Sequence, residues 1–562
     1  MFLGMVAGLR VGHRELAASA TTLSSIAGLR GTILESVENS ISLICNRQYS
    51  SRGPAYPAGQ PIHATHPELI APHELTPGIP ASEYRARRQR LAALLPPGGA
   101  AILPAAATAY MSGVIPWPYR QDPDFFYLTG VMQHGLALIT APKQGSSSQE
   151  ATYTLFIDPP SPSQAKWDGA GLSREVALEV FGADEVLYMH QMPRRLHDLA
   201  SSLAAASASS PAVYAPILYD TDRTNAHHAT AIAAALKPAL SKPGAIQPLR
   251  PLMHSLRLIK SQAEAALMRT SAAVASAAVR QCMAVSAPGV TEYGLGATFE
   301  FCVKAAGAQR LAYPSVVAGG SDACTIHYLR ADKSLPSGSD LLLMDAGAEY
   351  WGYVSDVSRT WPVGGRFSGP QRDVYAVVLE AHQRCLAACR PGSSIRLLHQ
   401  LAVEVLSEGL YELRVLPGAS RGEIQRNLYR EFFWHSLGHY LGCDTHDTAL
   451  IGHDRQLQQG AVITVEPGLY IPDHPRFGAF RGIGVRIEDD VLVTASGCRV
   501  LSDQAPVTIP EVEELVGSAR EAAAGAAAAG GGDGWRLPLP PRFATPPHRA
   551  LEEGRGSPVT WG

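Results

Sequence analysis

The sequence predicts an α+β protein with two folded units, a smaller α/β unit ahead of a larger one. Three observations carry this. The chain has 562 residues, more than one ordinary domain of ~100–200 residues holds. Up to about residue 250, short apolar runs alternate with helical stretches, as in an α/β unit. Near residue 251 the pattern changes, and long Ala-rich helices give way to short strands separated by turns.

The two ends stand apart from this core. Residues 1–50 hold Arg10, Arg14, Arg30 and Arg47, no Lys, no Asp and many Ser and Thr, and Phe2, Val6, Leu9 and Leu16 share one helical face. That is the style of an organelle transit peptide, although Glu15, Glu35 and Glu38 depart from it. Residues 51–80 carry Pro54, Pro57, Pro61, Pro67, Pro72, Pro77 and Pro80, which exclude a regular helix or central strand and imply an extended arm. Residues 516–562, rich in Ala, Gly and Pro, hold too little apolar surface to offset their ordering entropy and read as a disordered tail.

Between these ends lie an α/β unit over 81–250 and a second unit over 251–515. Ser82–Leu95 reads as a capped helix that Pro96-Pro97-Gly98-Gly99 stops. Ala100–Leu103, Leu136–Ile139 and Tyr153–Ile157 read as strands, and the Ala/Ser stretch at 200–210 as helix and loop. In the second unit, Ser261-Gln-Ala-Glu264 is a capping box ahead of a long helix ending before Pro288-Gly289. Thr291 caps the next helix, which stops near Gly307, and strands follow at Leu341–Asp345 and Ala461–Glu466.

Composition removes several classes of function. The formal charge is −3, from 47 basic and 50 acidic residues with no polybasic block, which argues against nucleic-acid binding. Mean hydropathy is near zero, and no apolar run reaches the ~18 residues of a membrane span. Eight cysteines in so long a chain do not make a disulfide framework and read as reduced, mostly buried thiols.

The chemistry gathers in the second unit. Leu341-Leu-Leu-Met-Asp345 runs an apolar strand into a carboxylate, and Asp356 follows eleven residues on. Gly347 and Gly352 permit a turn that brings the two together. Trp434-His435-Ser-Leu-Gly-His439 and His446-Asp447 add three histidines, but Ser436 and Gly438 rule out the zinc-protease H-E-x-x-H helix. Glu466 and Glu488 stand at strand-like positions. Singly, each of these residues is an ordinary turn cap or ion-pair partner. Together, four carboxylates and an imidazole are hard donors suited to Mn²⁺, Zn²⁺, Co²⁺ or Fe²⁺. Gly418-Ala-Ser420-Arg-Gly422 matches the hydrolase G-x-S-x-G formally, yet it follows Pro417 in a polar stretch and reads as a loop.

The order Asp345, Asp356, His439, Glu466, Glu488, with these surroundings, resembles the pita-bread metallopeptidases, which include aminopeptidase P, prolidase and methionine aminopeptidase. Tyr119-Arg-Gln-Asp-Pro-Asp124-Phe-Phe-Tyr-Leu-Thr-Gly130 is similar to the N-terminal-domain signature of aminopeptidase P. The resemblance implies a pita-bread catalytic domain behind a smaller aminopeptidase P N-terminal domain. It also implies two divalent ions, Mn²⁺ above Zn²⁺ or Co²⁺. Asp356 and Glu488 would bridge them, Asp345 would complete one, and His439 with Glu466 the other. Glu466 would also shuttle a proton. His327, His435 and His446 would bind substrate and stabilise the oxyanion, Arg486 would orient a metal carboxylate, and Asp124 and Tyr470 would line the substrate site.

The implied substrates are peptide or protein N-termini, cleaved as Xaa-Pro bonds or, as in the family's mitochondrial intermediate-cleaving, Xaa-Pro aminopeptidase 3-like branch, by trimming one residue after presequence removal. Arg47-Gln-Tyr49-Ser-Ser51 resembles that branch's own substrate signature, and the Pro-rich arm resembles the start of its mature proteins. A mitochondrial location follows, in the matrix or on the inner membrane, with another organelle or the cytosol as alternatives. A homodimer is expected. A prolidase-like dipeptidase and a catalytically inactive peptide-binding module are the rival readings.

Overall fold

The computed structural model of the chain describes residues 57–143, 150–209, 216–222, 226–240 and 244–516. The expected transit peptide, and all but the first residue of the expected tail, lie outside the described residues. Residue 516 itself belongs to the fold: residues 509–516 are helical, and Val512 and Val516 are fully buried.

The Pro-rich arm differs from the expectation of simple extension. Residues 57–80 form successive turns and a small ladder of Glu74–Thr76 with Ile79–Pro80. The reason is apolar: Ile62, Ile70, Leu75 and Ile79 lie between the prolines and are all buried. The first helix, Ala81–Ala93, starts one residue early, from Pro80, and no side chain caps it. Ser82 therefore lies inside the helix rather than at its cap.

The first unit is built on a six-stranded mixed sheet in the order Ile246–Gln247, Ile217–Leu218, Ala100–Pro104, Leu136–Thr140, Thr152–Ile157, Glu185–Tyr188. The central three strands pair antiparallel, and the flanking pairs are parallel. The signature segment enters a short helix, Pro123–Thr129, which Asp122 caps by accepting from the Phe125 amide at 2.9 Å.

The second unit repeats one plan twice. The helices Gln262–Val285 and Glu292–Ala305 precede an antiparallel sheet of Val316–Gly319, Leu341–Ala346 and Val357–Pro362. The helices Gly369–Ala388 and Ile395–Glu412 precede a second, of Val462–Val465, Asp489–Val493 and Cys498–Val500. Leu341–Met344 are buried on both faces, which explains an unbroken apolar run in a strand. The halves are stitched along one seam: Glu488 N–H donates to Ser358 O at 3.1 Å, Asp356 N–H to Asp490 Oδ1 at 3.1 Å, and Thr360 Oγ1 to Arg486 O at 3.0 Å.

The units meet at a hairpin of Ala348–Tyr350 and Tyr353–Val354. Trp351 and Gly352 at its tip both have positive φ, as a type I′ turn requires. A Cβ on Gly352 would lie 2.4 Å from Phe126 Cε1, so glycine is what lets the first unit close onto the hairpin. The seven described cysteines are all free, five of them buried. Among the described residues no helix is long and apolar enough to cross a membrane.

Candidate metal centre

The seam between the two halves is where the carboxylates gather. Asp345 sits near the end of its strand, and Asp356 immediately precedes the paired strand, in which Ser358 lies opposite Asp345. The other half supplies the rest. Glu466 directly follows the strand Val462–Val465, and Glu488 stands between the strands Gly484–Arg486 and Asp489–Val493. His439 is fixed to the first of these strands: its amide donates to Thr464 Oγ1 at 3.1 Å, and the Thr464 amide donates to its carbonyl at 2.9 Å.

The side chains converge. The ligating atoms of Asp356, His439 and Glu488 all lie within 4.8 Å of one another. His439 Nε2 stands 3.4 Å from Asp356 Oδ2 and 3.7 Å from Glu466 Oε1. Its Nδ1–H points at the Tyr440 carbonyl, 3.1 Å away, which leaves Nε2 to face the carboxylates. Glu488 Oε2 accepts from Ser358 Oγ at 2.6 Å. Asp345 Oδ2 accepts from Arg486 Nη2 at 2.6 Å, and Arg486 Nε donates to Ser358 Oγ at 2.8 Å. One residue here carries no sequence motif. The Tyr313 hydroxyl lies 2.6 Å from Asp345 Oδ1 and also contacts Asp356 Oδ1, so it sits between the two aspartates.

This cluster is short of positive charge. Burial pushes the Asp345 carboxyl up, the Glu466 carboxyl to about 7 and the Glu488 carboxyl well above its ordinary value, and the neighbouring carboxylates add to each. Burial alone would lower His439, but Asp356 and Glu466 raise it to about 9. Four carboxylates facing one buried arginine, with a histidine holding a proton for them, are what a divalent-cation site looks like when protons alone balance it. The residues present therefore fit hard divalent ions.

The remaining expected site residues divide into two groups. His327 and His446 are exposed, and their side chains make no hydrogen bond among the described residues. The His446 ring lies 4.4 Å from that of His439. His435 and Tyr470, the second group, are hydrogen-bonded to each other beside the donors. His435 Nδ1–H donates to Ser436 O at 2.7 Å, and its Nε2 meets the Tyr470 hydroxyl at 2.9 Å. Burial and then Arg486 lower its pKa to about 3, so it is neutral. The fully buried Tyr470 in turn accepts from Arg486 Nη1 at 3.0 Å. Tyr470 thus helps hold Arg486, and through it Asp345, while His435 Nδ1 also lies 3.6 Å from Glu466 Oε2.

Asp124 faces Arg257. It is 2% exposed and accepts from Arg257 Nη1 at 2.7 Å at the junction of the units, because a buried carboxylate needs a cationic partner. The G-x-S-x-G serine is a helix cap: the Glu423 amide donates to Ser420 Oγ at the start of the helix Arg421–Arg426.

Comparison with known proteins agrees with this geometry. Residues 266–495 match the model of metallopeptidase family M24, and residues 84–206 that of the aminopeptidase P N-terminal domain. The chain is 39% identical over 463 residues to the Arabidopsis thaliana protein named intermediate cleaving peptidase 55, mitochondrial, covering 82% of this chain and 87% of that one. It is 34% identical over 513 residues to human Xaa-Pro aminopeptidase 3, covering 88% and 97%. The solved structure of Escherichia coli aminopeptidase P in its low-pH form matches with a TM-score of 0.72 and 32% identity, over 79% of this chain and 99% of that one. The chain belongs to metallopeptidase family M24, with the aminopeptidase P N-terminal domain, and is a metallo-aminopeptidase.

Proposed function

We propose that this metallo-aminopeptidase removes one N-terminal residue from proteins delivered to mitochondria, after their presequence has been cut. The observation that carries the reading is the converging donor set with two exposed histidines, His327 and His446, at its rim. The relatives named intermediate cleaving peptidase 55, in Arabidopsis thaliana and Schizosaccharomyces pombe, support the substrate and the mitochondrial location. Cleavage of Xaa-Pro bonds is the second reading, favoured by the relatives named Xaa-Pro aminopeptidase. The presence of all five donors argues against an inactive peptide-binding module, and the aminopeptidase P N-terminal domain against a prolidase-like dipeptidase.

Asp345, Asp356, His439, Glu466 and Glu488 would hold two divalent ions, most simply Mn²⁺. When bound, such ions generate a nucleophile from water at neutral pH and polarise the scissile carbonyl. The protein's own residues do the rest. Glu466 takes a proton from the attacking water and passes it to the leaving amine, the general base and then general acid work a positioned carboxylate can do. His446 and His327 contact the substrate beside the scissile bond and stabilise developing negative charge on its oxygen. Arg486, locked by Tyr470 and Ser358, fixes Asp345. Tyr313 holds Asp345 and Asp356 in register. The working form is a homodimer.

The test uses purified enzyme lacking residues 1–50, loaded with Mn²⁺ and offered a Tyr-Ser-Ser peptide beside an Xaa-Pro-Pro peptide. Release of Tyr from the first is expected. Cleavage of the second alone overturns the presequence-trimming reading.

A further inference from the structure

The loop that follows His439 carries His446, and almost everything that fixes this loop comes from outside the metal centre. The loop closes on itself: the Asp447 amide donates to Tyr440 O at 2.9 Å. A Cβ on Gly442 would lie 2.4 Å from Asp447 Oδ2, so glycine is required for the Asp447 side chain to fold back beneath the loop. Three cations then grip it. Arg120 Nη2 donates to Cys443 O at 2.6 Å and Nη1 to Asp444 Oδ1 at 3.0 Å. Arg257 Nη2 donates to Asp444 Oδ2 at 3.0 Å and also contacts Asp447 Oδ1. Lys260 Nζ donates to Asp447 Oδ2 at 3.2 Å. Asp444 and Asp447 flank His446, whose own side chain has no hydrogen bond among the described residues.

The cations are themselves held by the signature segment. Asp124 fixes Arg257 from the other side. Arg120 Nε donates to Glu349 Oε2 at 2.6 Å. Glu349 also pairs with Arg310, whose Nη2 donates to Tyr119 O at 2.8 Å. Residues 119, 120 and 124 thus contribute a carbonyl, a cation and a carboxylate to one network ending on either side of His446. Among the described residues, no hydrogen bond of Tyr119 or Arg120 runs to a donor of the metal centre.

We infer that Arg120 and the Asp124-anchored Arg257 are positioning residues, a clamp through which the N-terminal domain sets where His446 stands over the metal centre. This rests on the reading of His446 as a substrate contact. Two-directional grip needs the planar guanidinium fork, so lysine, which keeps the charge, does not replace it.

The experiment measures kcat, KM and bound Mn²⁺ for the full chain and for Arg120→Gln, Arg257→Lys, His446→Ala and Arg120→Gln/His446→Ala. Arg120→Gln and Arg257→Lys are expected to lower kcat by roughly tenfold, as loss of a supporting partner typically does, with KM and bound Mn²⁺ nearly unchanged. In the double variant the Arg120→Gln effect should vanish, leaving the rate within about twofold of His446→Ala alone. Multiplying effects, or an unaltered kcat in Arg120→Gln, overturn the clamp. An unaltered kcat in His446→Ala instead overturns the reading of His446 itself. Should Arg257→Lys fail to fold, Asp124→Asn, of the same shape, replaces it and carries the same expectation.

Discussion

Two buried charge clusters lie a few residues apart in this chain, and they are built on opposite principles. At the junction of the units, Asp124, Asp444, Asp447 and Glu349 face Arg120, Arg257, Lys260 and Arg310, four carboxylates against four cations. At the seam, Asp345, Asp356, Glu466 and Glu488 face one arginine and two histidines, of which His435 is neutral. The carboxyl groups respond accordingly. Burial would raise Asp447, but Arg257 and Lys260 outweigh it and hold that carboxyl below its ordinary range. Burial raises Asp345, Glu466 and Glu488, and there is too little positive charge to bring them back. A balanced cluster is complete and serves to hold position. An unbalanced one is an open request for cations, and here that request is the enzyme's chemistry.

The contrast is sharpest in stability. Arg257→Met leaves Asp124 and Asp447 buried without their partner, and should cost about 3–5 kcal/mol in urea unfolding. Glu488→Gln puts a neutral amide of the same shape where burial and the neighbouring carboxylates already favour the neutral carboxyl, and should leave the metal-free protein as stable or raise its Tm. Equal losses in both variants would erase the distinction between the clusters.

A smaller effect appears with pH. Glu466 and His439 bind their protons more tightly in the fold than at their ordinary values of 4.5 and 6.5. Their stabilisation is therefore present at low pH and is lost as pH rises through about 7 and about 9. Asp447 acts in the opposite sense: its depressed carboxyl stabilises above its ordinary 3.8, and that contribution is lost as pH falls below it. The Tm of the metal-free protein should decline from about pH 5 to about pH 9, and Mn²⁺ should flatten or reverse the decline, because the ions replace the protons. A decline that Mn²⁺ leaves untouched would place the titrating groups elsewhere.

The two clusters also differ in how far the sequence announces them. The donors of the seam stand at the ends of apolar strands, such as Leu341–Asp345 and Ala461–Glu466, where charge is expensive and so conspicuous. The capping box at Ser261 is local chemistry and can be read directly. The junction is different, because Arg120 and Asp444 are 324 residues apart and neither lies in a pattern that demands the other. Asp124 stands out in its signature, but only the fold shows that it faces Arg257. Tyr313 is an aromatic in a connecting loop, with no periodicity to mark it, and its hydroxyl finds two aspartates only once the strands pair. The resemblance places His435 and Tyr470 at the substrate site, but no sequence pattern shows that they also bond to each other and to Arg486's network. Arg486 claims the Tyr470 hydroxyl, and that hydroxyl in turn engages His435.

The most direct test is to count bound Mn²⁺ and measure peptide hydrolysis in Asp356→Ala beside the unaltered protein. Two ions per chain are expected in the unaltered protein and fewer in the variant. The rate should fall on the order of a thousandfold or more, because the ions supply the attacking water, while thermal unfolding of the metal-free variant stays cooperative and no earlier. A variant that binds two ions and cleaves at the original rate would contradict the metal centre drawn here.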